Sequence, residues 1–126
     1  MQEITLTSGN KLSIQTPRFY DVMELIRCAC RELRNNNILV DIENINGADV
    51  LSMIMTLIGS KDFDGYFWNI AKNCLYNGER ITESLFDDRE ESRSDFFEIE
   101  YKILEATLKP FGKSLLTISK QQQIVK

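Results

Sequence analysis

The sequence predicts a mainly helical α+β domain in which an N-terminal β-hairpin packs on a bundle of about four to five helices. Three observations lead there. Apolar and polar residues alternate at the start of the chain, apolar residues then recur in steps of three and four, and no Gly- or Ser-rich linker or internal repeat divides the sequence. A chain of 126 residues suits one such domain, burying roughly two thirds of its unfolded surface.

The opening "EITLTSGNKLSIQT" sets Ile4 and Leu6 before the turn signal "SGN" and Leu12 and Ile14 after it, a hairpin with one apolar face. Two strands alone are marginal in water, so that face must lie on the helices that follow. Thr16 and Pro17 read as a helix start. A helix from about Pro17 to Arg34 would bury Phe19, Met23, Ile26, Cys30 and Leu33, widened by Val22, Leu25 and Ala29. The Asn35–Asn37 run breaks it, and "ILVDIENING" reads as an irregular connection or a short strand.

Asn46 with Asp49 resembles a capping pair for a second helix, Ala48 to Ile58, closed by Gly59 and apolar nearly all round. Ser60 with Asp62 opens a third helix with the stripe Phe63, Phe67, Ile70 and Cys74, thickened by Tyr66, Ala71 and Leu75 and stopped by Asn77-Gly78. Thr82 caps a further turn around Leu85 and Phe86. The charged run "DDREESRSD" leads as a solvated start into a fourth major helix. Its broad buried face combines Phe96, Ile99, Ile103 and Ala106 with Phe97, Tyr101, Leu104 and Leu108. In "TLKPFGKSLL", Pro110 stops or kinks that helix, Gly112 turns the chain and Phe111 acts as a core plug or an exposed anchor. Residues 1–116 form the single globular domain, and the polar stretch 117–126 reads as a flexible tail.

Composition narrows the chemistry. Nineteen acidic against fifteen basic residues leave a net charge of -4, which gives no electrostatic reason to approach nucleic acid or an anionic membrane. The most apolar run, Val50 to Gly59, would make a helix about 15 Å long, half of the roughly 30 Å needed to span a bilayer. The opening residues lack the basic start and apolar run of a secretory signal, which points to the cytoplasm. Three cysteines, Cys28, Cys30 and Cys74, are an odd number for a disulfide framework and read as small buried apolar residues.

No histidine occurs in the chain, which removes the commonest general base and the commonest metal ligand, so no enzyme and no cofactor is expected. Cys28 and Cys30 point roughly 200° apart on a helix, which defeats a zinc site. The acidic cluster Asp87, Asp88, Glu90 and Glu91 lacks the glycine-punctuated alternation of a calcium loop. An enzyme using only Glu98, Tyr101 and Glu105 is the weakest alternative, because these share a helix face that reads more simply as the edge of the buried surface. Phe63, Tyr66, Phe67 and Trp68 lack the basic groove of a stacking platform; they read as core, with Trp68 off the main stripe as a partly exposed contact.

What remains is surface suited to protein partners. Leu51, Met53, Met55 and Ile58 give the second helix more apolar surface than one core face requires, and methionine adapts to irregular partners. The second helix is expected to form, with the Phe111 and Leu115 end of the fourth, a groove for apolar segments.

The order of features, with "LYNGERIT", the "FDDR" that follows it and the closing "LKPF", resembles the small tail assembly chaperones of long-tailed bacteriophages and prophages from Glu3 to about Phe111. Thr107 stands where members of that family often carry Asn. The resemblance implies a non-enzymatic protein of the host cytoplasm that binds the hydrophobic tape measure protein, keeps it soluble and helps recruit tail tube subunits. It also implies a longer form made by translational frameshifting, and it is compatible with a homo-oligomer. The alternative on the same helices is a small adaptor or regulator from a mobile element.

Overall fold

The computed structural model describes the backbone of residues 1–35 and 55–125 and the side chains of residues 1–35 and 55–111. Its architecture is mainly helical α+β, with the N-terminal hairpin expected from the alternation. Strands β1 (Gln2–Thr5) and β2 (Lys11–Ile14) pair antiparallel with Ile4 opposite Leu12. Leu6, Leu12 and Ile14 are buried, so the predicted apolar face does meet the core. The Leu6 carbonyl accepts from Gly9 N–H and the Asn10 carbonyl from Leu6 N–H. This three-residue loop needs a left-handed residue at its end, which Gly9 supplies with φ of +94°.

Helix α1 spans Phe19–Asn35, two residues later than expected. Pro17 favours extended backbone at the residue before it, and the first helical bond runs from Val22 N–H to the Arg18 carbonyl. The apolar buried face consists of Val22, Leu25, Cys28, Ala29 and Leu33, with Asp21 buried beside it. Phe19 and Cys30, expected on the core stripe, are exposed. The apolar arc is wider than the contact it makes, and its two margins stay in solvent.

Most of the predicted second helix, with Leu51, Met53 and the Asn46–Asp49 cap, lies outside the described residues, as does the 36–46 connection. Residues 55–57 are helical and 58–59 turn. Helix α2, Lys61–Ala71, opens as expected at Ser60, whose hydroxyl accepts from Phe63 N–H at 3.2 Å. It buries Phe63, Phe67, Ile70 and Ala71. The helix ends there, well short of Asn77-Gly78. Cys74 is buried outside it, and Leu75–Tyr76 and Glu79–Arg80 form strands β3 and β4.

Asn77-Gly78 is therefore a hairpin turn and not a helix stop. Both residues have positive φ, +50° and +84°, the conformation of a two-residue turn that suits the twist of the strands. Tyr76 pairs with Leu12, so the sheet has four antiparallel strands in the order β1-β2-β3-β4. A 3₁₀ turn follows at Glu83–Phe86 after Thr82, whose side chain makes no capping bond to the backbone.

Helix α3 runs from Glu90 to Val125 with Pro110 inside it. Pro110 does not stop it and Gly112 does not turn the chain, and the stretch after Leu116 continues the helix. The core face of α3 is Ile99, Ile103 and Leu104, with Phe96, Tyr101 and Ala106 partly buried. Phe97, expected on that face, is 52% exposed. Ser92 and Asp95, from the run expected to be solvated, are buried. The Ser92 hydroxyl donates to the Leu85 carbonyl at 2.7 Å, and Arg93 donates to the Phe86 and Asp87 carbonyls. Side chains of the charged run thus satisfy the carbonyls that the 3₁₀ turn leaves open. Among the described residues no helix is long and apolar enough to cross a membrane.

Candidate functional site

Helix α3 is fixed to the sheet by polar contacts at one end, which leaves a groove at the other. The Asp95 carboxylate accepts from Tyr76 Oη at 2.7 Å, from Ser8 Oγ at 2.9 Å and from Asn10 Nδ2 at 2.9 Å. Asn10 Nδ2 also donates to Glu91 at 3.0 Å, and Glu98 accepts from Thr7 N–H and Thr7 Oγ1. Asn77 joins the two hairpin turns, accepting from Lys11 N–H at 2.8 Å and donating to Asn10 Oδ1 at 3.0 Å. Glu91, Asp95 and Glu98 recur at helical spacing, so one face of α3 holds both turns. Burial pushes the Asp95 carboxyl up, but the bonds from Asn10, Tyr76 and Ser8 outweigh it and leave the group below its ordinary range. Burial and the Asp95 carboxylate raise the Tyr76 phenol, keeping it a donor.

Away from the turns, α3 diverges from the chain segment that leaves β2. A cavity of about 370 Å³ opens there, floored by Ile14, Val22 and Ala106 and walled by Pro17, Phe19, Pro110 and Phe111, with Gln2 at the strand end. Phe19 and Phe111 face each other with ring centroids 6.2 Å apart. Phe19 is 68% exposed, whereas Phe111 is half-buried against the core. Thr107 lines the cavity and its Oγ1 is buried with no hydrogen-bond partner among the described residues. Pro110, on the same wall, has no N–H to give the Ala106 carbonyl.

A second, shallower cavity of about 290 Å³ is lined by Trp68, Phe86, Phe96 and Phe97 with Glu83 and Arg93 at its margin. Its rings contact one another edge-on or tilted, Phe86 against Phe96 at 5.1 Å and Trp68 against both at 6.1 Å. Trp68 is half-buried here, as its place off the α2 stripe implies.

The other predicted contact residues fall on a third surface. Met55 is 61% and Ile58 46% exposed, while Leu57 between them is buried. Arg31 pairs with Asp62 at 3.3 Å and also donates to the Cys28 sulfur at 3.6 Å, which puts this segment beside the middle and end of α1. Phe111 lies instead at the first turn of α1, and the nine residue-to-residue steps from Phe19 to Cys28 span about 14 Å of helix. The single groove expected from the second helix and the end of α3 is thus not assembled by the described residues. Phe111 pairs with Phe19, which sequence reasoning assigned to the core. Leu51 and Met53 lie outside the described residues, as does the side chain of Leu115, whose backbone is helical.

The carboxylate face is occupied by local bonds. Glu98 serves Thr7, and Tyr101 Oη donates to Glu105 at 2.9 Å, a bond that raises the Tyr101 phenol ahead of its partial burial. Neither cavity is lined by these groups. Glu100 is buried on the same helix, and burial first, then the Asp64 carboxylate, raise its pKa to about 7. Burial also raises the Cys28 and Cys74 thiols, whereas Cys30 is exposed, against the expectation that all three are buried. Among the described residues no group of three or more metal-ligating side chains is gathered.

No family model, curated protein or solved structure matches the chain.

Proposed function

We propose that the chain is a non-enzymatic assembly chaperone of the phage tail type that binds apolar segments of a tape measure protein, keeps it soluble and helps recruit tail tube subunits. The observation that carries this reading is the cavity between Phe19 and Phe111. Its floor is part of the core, one aromatic wall, Phe19, is open to solvent, and the other, Phe111, is half-buried against the core. A surface of this kind accepts the apolar stripe of a helix, whose side chains at steps of three and four enter a groove while its polar face stays wet.

The exposed Met55 and Ile58 provide a separate adaptable patch. A long apolar partner can engage both, with affinity rising through the linkage of the two contacts. The net charge of -4 keeps a complex with such a partner soluble and deters like-charged surfaces.

The test is co-expression with a long, coiled-coil-like tape measure protein, scored by the soluble fraction of that protein. Phe19→Asp and Phe111→Asp are expected to lower the soluble fraction several-fold while far-UV circular dichroism stays unchanged. Met55→Asp is expected to give a smaller loss. Folded Phe19→Asp and Phe111→Asp variants that keep the partner as soluble as the unaltered chain does would sink the proposal.

A further inference from the structure

Among the described residues no strand pairs with the outer edge of β1, and the chemistry of that edge favours a second copy of this chain. Leu6 exchanges hydrogen bonds across the hairpin with Asn10 and with Gly9. By the alternation of an antiparallel ladder, Ile4 and Gln2 also face β2, whereas the N–H and C=O groups of Glu3, Thr5 and Thr7 point outward. The outward Thr7 N–H is already satisfied by both carboxylate oxygens of Glu98, at 3.1 and 3.2 Å. For the outward groups of Glu3 and Thr5 there is no partner among the described residues, and both residues are exposed. The opposite edge offers less, since β4 has two residues and Arg89 holds Glu79 at 2.9 Å.

We infer that two copies of the chain associate by antiparallel pairing of β1 with β1, which joins their sheets into one. The two-fold axis passes through the Ile4 pair, and Glu3 of each copy exchanges N–H···O bonds with the partner's Thr5. Charge decides for this occupant. Lys11 lies across from Thr5 within the hairpin and its Nζ donates to Thr5 Oγ1 at 2.7 Å. The row on the solvent face then reads Lys11, Thr5 and the partner's Glu3, so each copy sets an ammonium within side-chain reach of the other's carboxylate. Register is fixed by this match: any slip of the pairing separates these opposite charges. Glu3 enters none of the ion pairs among the described residues, so its charge is available to the dimer. The inference does not rest on the tape measure reading: the pairing groups belong to Glu3 and Thr5, neither of which lines the Phe19–Phe111 cavity, although Gln2 of the same strand does.

Sedimentation velocity across a concentration series tests the pairing, with amide hydrogen exchange at Glu3 and Thr5 as a local readout. Thr5→Pro is the informative variant, because proline is tolerated on an edge strand where the lost N–H faces outward. The unaltered chain is expected to dimerise with rising concentration and to protect the Glu3 and Thr5 amides as it does so. Thr5→Pro is expected to weaken dimerisation by at least about tenfold with an unchanged unfolding midpoint. Glu3→Lys should weaken it similarly, and Glu3→Lys combined with Lys11→Glu should restore it. A chain that stays monomeric throughout overturns the inference, as does a dimer indifferent to Thr5→Pro or a charge swap without rescue.

Discussion

Glu100 offers the sharpest quantitative test of the packing. Its side chain is buried on α3, and burial followed by the Asp64 carboxylate moves its pKa from 4.5 to about 7. Each pKa unit corresponds to about 1.36 kcal/mol, so the displacement amounts to about 3 kcal/mol between the protonated and charged forms. The folded-state value is raised. The protonated group's contribution is therefore complete below the unfolded value and is lost as pH rises through about 7. Against a total stability of roughly 5–15 kcal/mol for such a domain, this is a sizeable fraction.

Glu100→Gln removes the titration with little change of shape. The variant is expected to match the unaltered chain near pH 4 and to exceed it by up to about 3 kcal/mol near pH 8. Urea unfolding followed by circular dichroism at several pH values measures the gap, provided the denaturant slopes agree. Asp64→Asn, which removes the second cause of the shift, should narrow the gap. A difference independent of pH would mean that the effect is not titration, and an unaltered chain more stable than Glu100→Gln near pH 8 would refute the assignment outright.

Other expectations follow from the clamp and the thiols. Tyr76→Phe deletes one bond to the Asp95 carboxylate and should cost about 1.5–3 kcal/mol, the range for a hydrogen bond to a charged group. Asp95 has a depressed folded-state pKa, so its contribution stands above the unfolded value and is lost as pH falls through the folded one. The Tyr76→Phe deficit should therefore persist at neutral pH and shrink in acid, and a urea midpoint unmoved at neutral pH would argue against the clamp. Of the three cysteines, Cys30 alone is exposed. A thiol reagent should label it fast in the folded protein and reach Cys28 and Cys74 only on unfolding; equal rates for all three would contradict the packing of α1.

Local chemistry made part of this fold legible. Alternation around "SGN" located the hairpin because a loop residue with positive φ and strands of period two leave a joint signature. Ser60 is readable as a cap for the same kind of reason, since the accepting hydroxyl and the donating Phe63 N–H are three residues apart. Asn77-Gly78 was misread because it serves equally as a helix terminator and as a hairpin turn. The flanking strands have two residues each, too few to display alternation, while the apolar spacing of α2 runs on through Cys74. The burial of Asp95 had no local trace at all: it sits in an acidic run, and its partners Ser8, Asn10 and Tyr76 come from two distant turns.

Pro110 shows how a local rule yields to context, and where. A proline in a helix interior costs about 3 kcal/mol through the lost N–H and the crowding of the carbonyl four residues back, so a stop was the sound expectation. Helix α3 nevertheless has twenty residues before it, Glu90 to Lys109, already fixed by the clamp at Glu91, Asp95 and Glu98 and by the core contacts of Ile99, Ile103 and Leu104. Continuing an established helix avoids a new nucleation penalty, and tertiary packing sets its direction regardless of local propensity. Pro110 cannot serve the Ala106 carbonyl, the neighbouring Thr107 hydroxyl has no partner among the described residues, and Ala106 and Thr107 both line the cavity of Phe19 and Phe111. Violations of local consistency concentrate where a surface has work to do, and here they coincide with the groove from which the proposed function is argued.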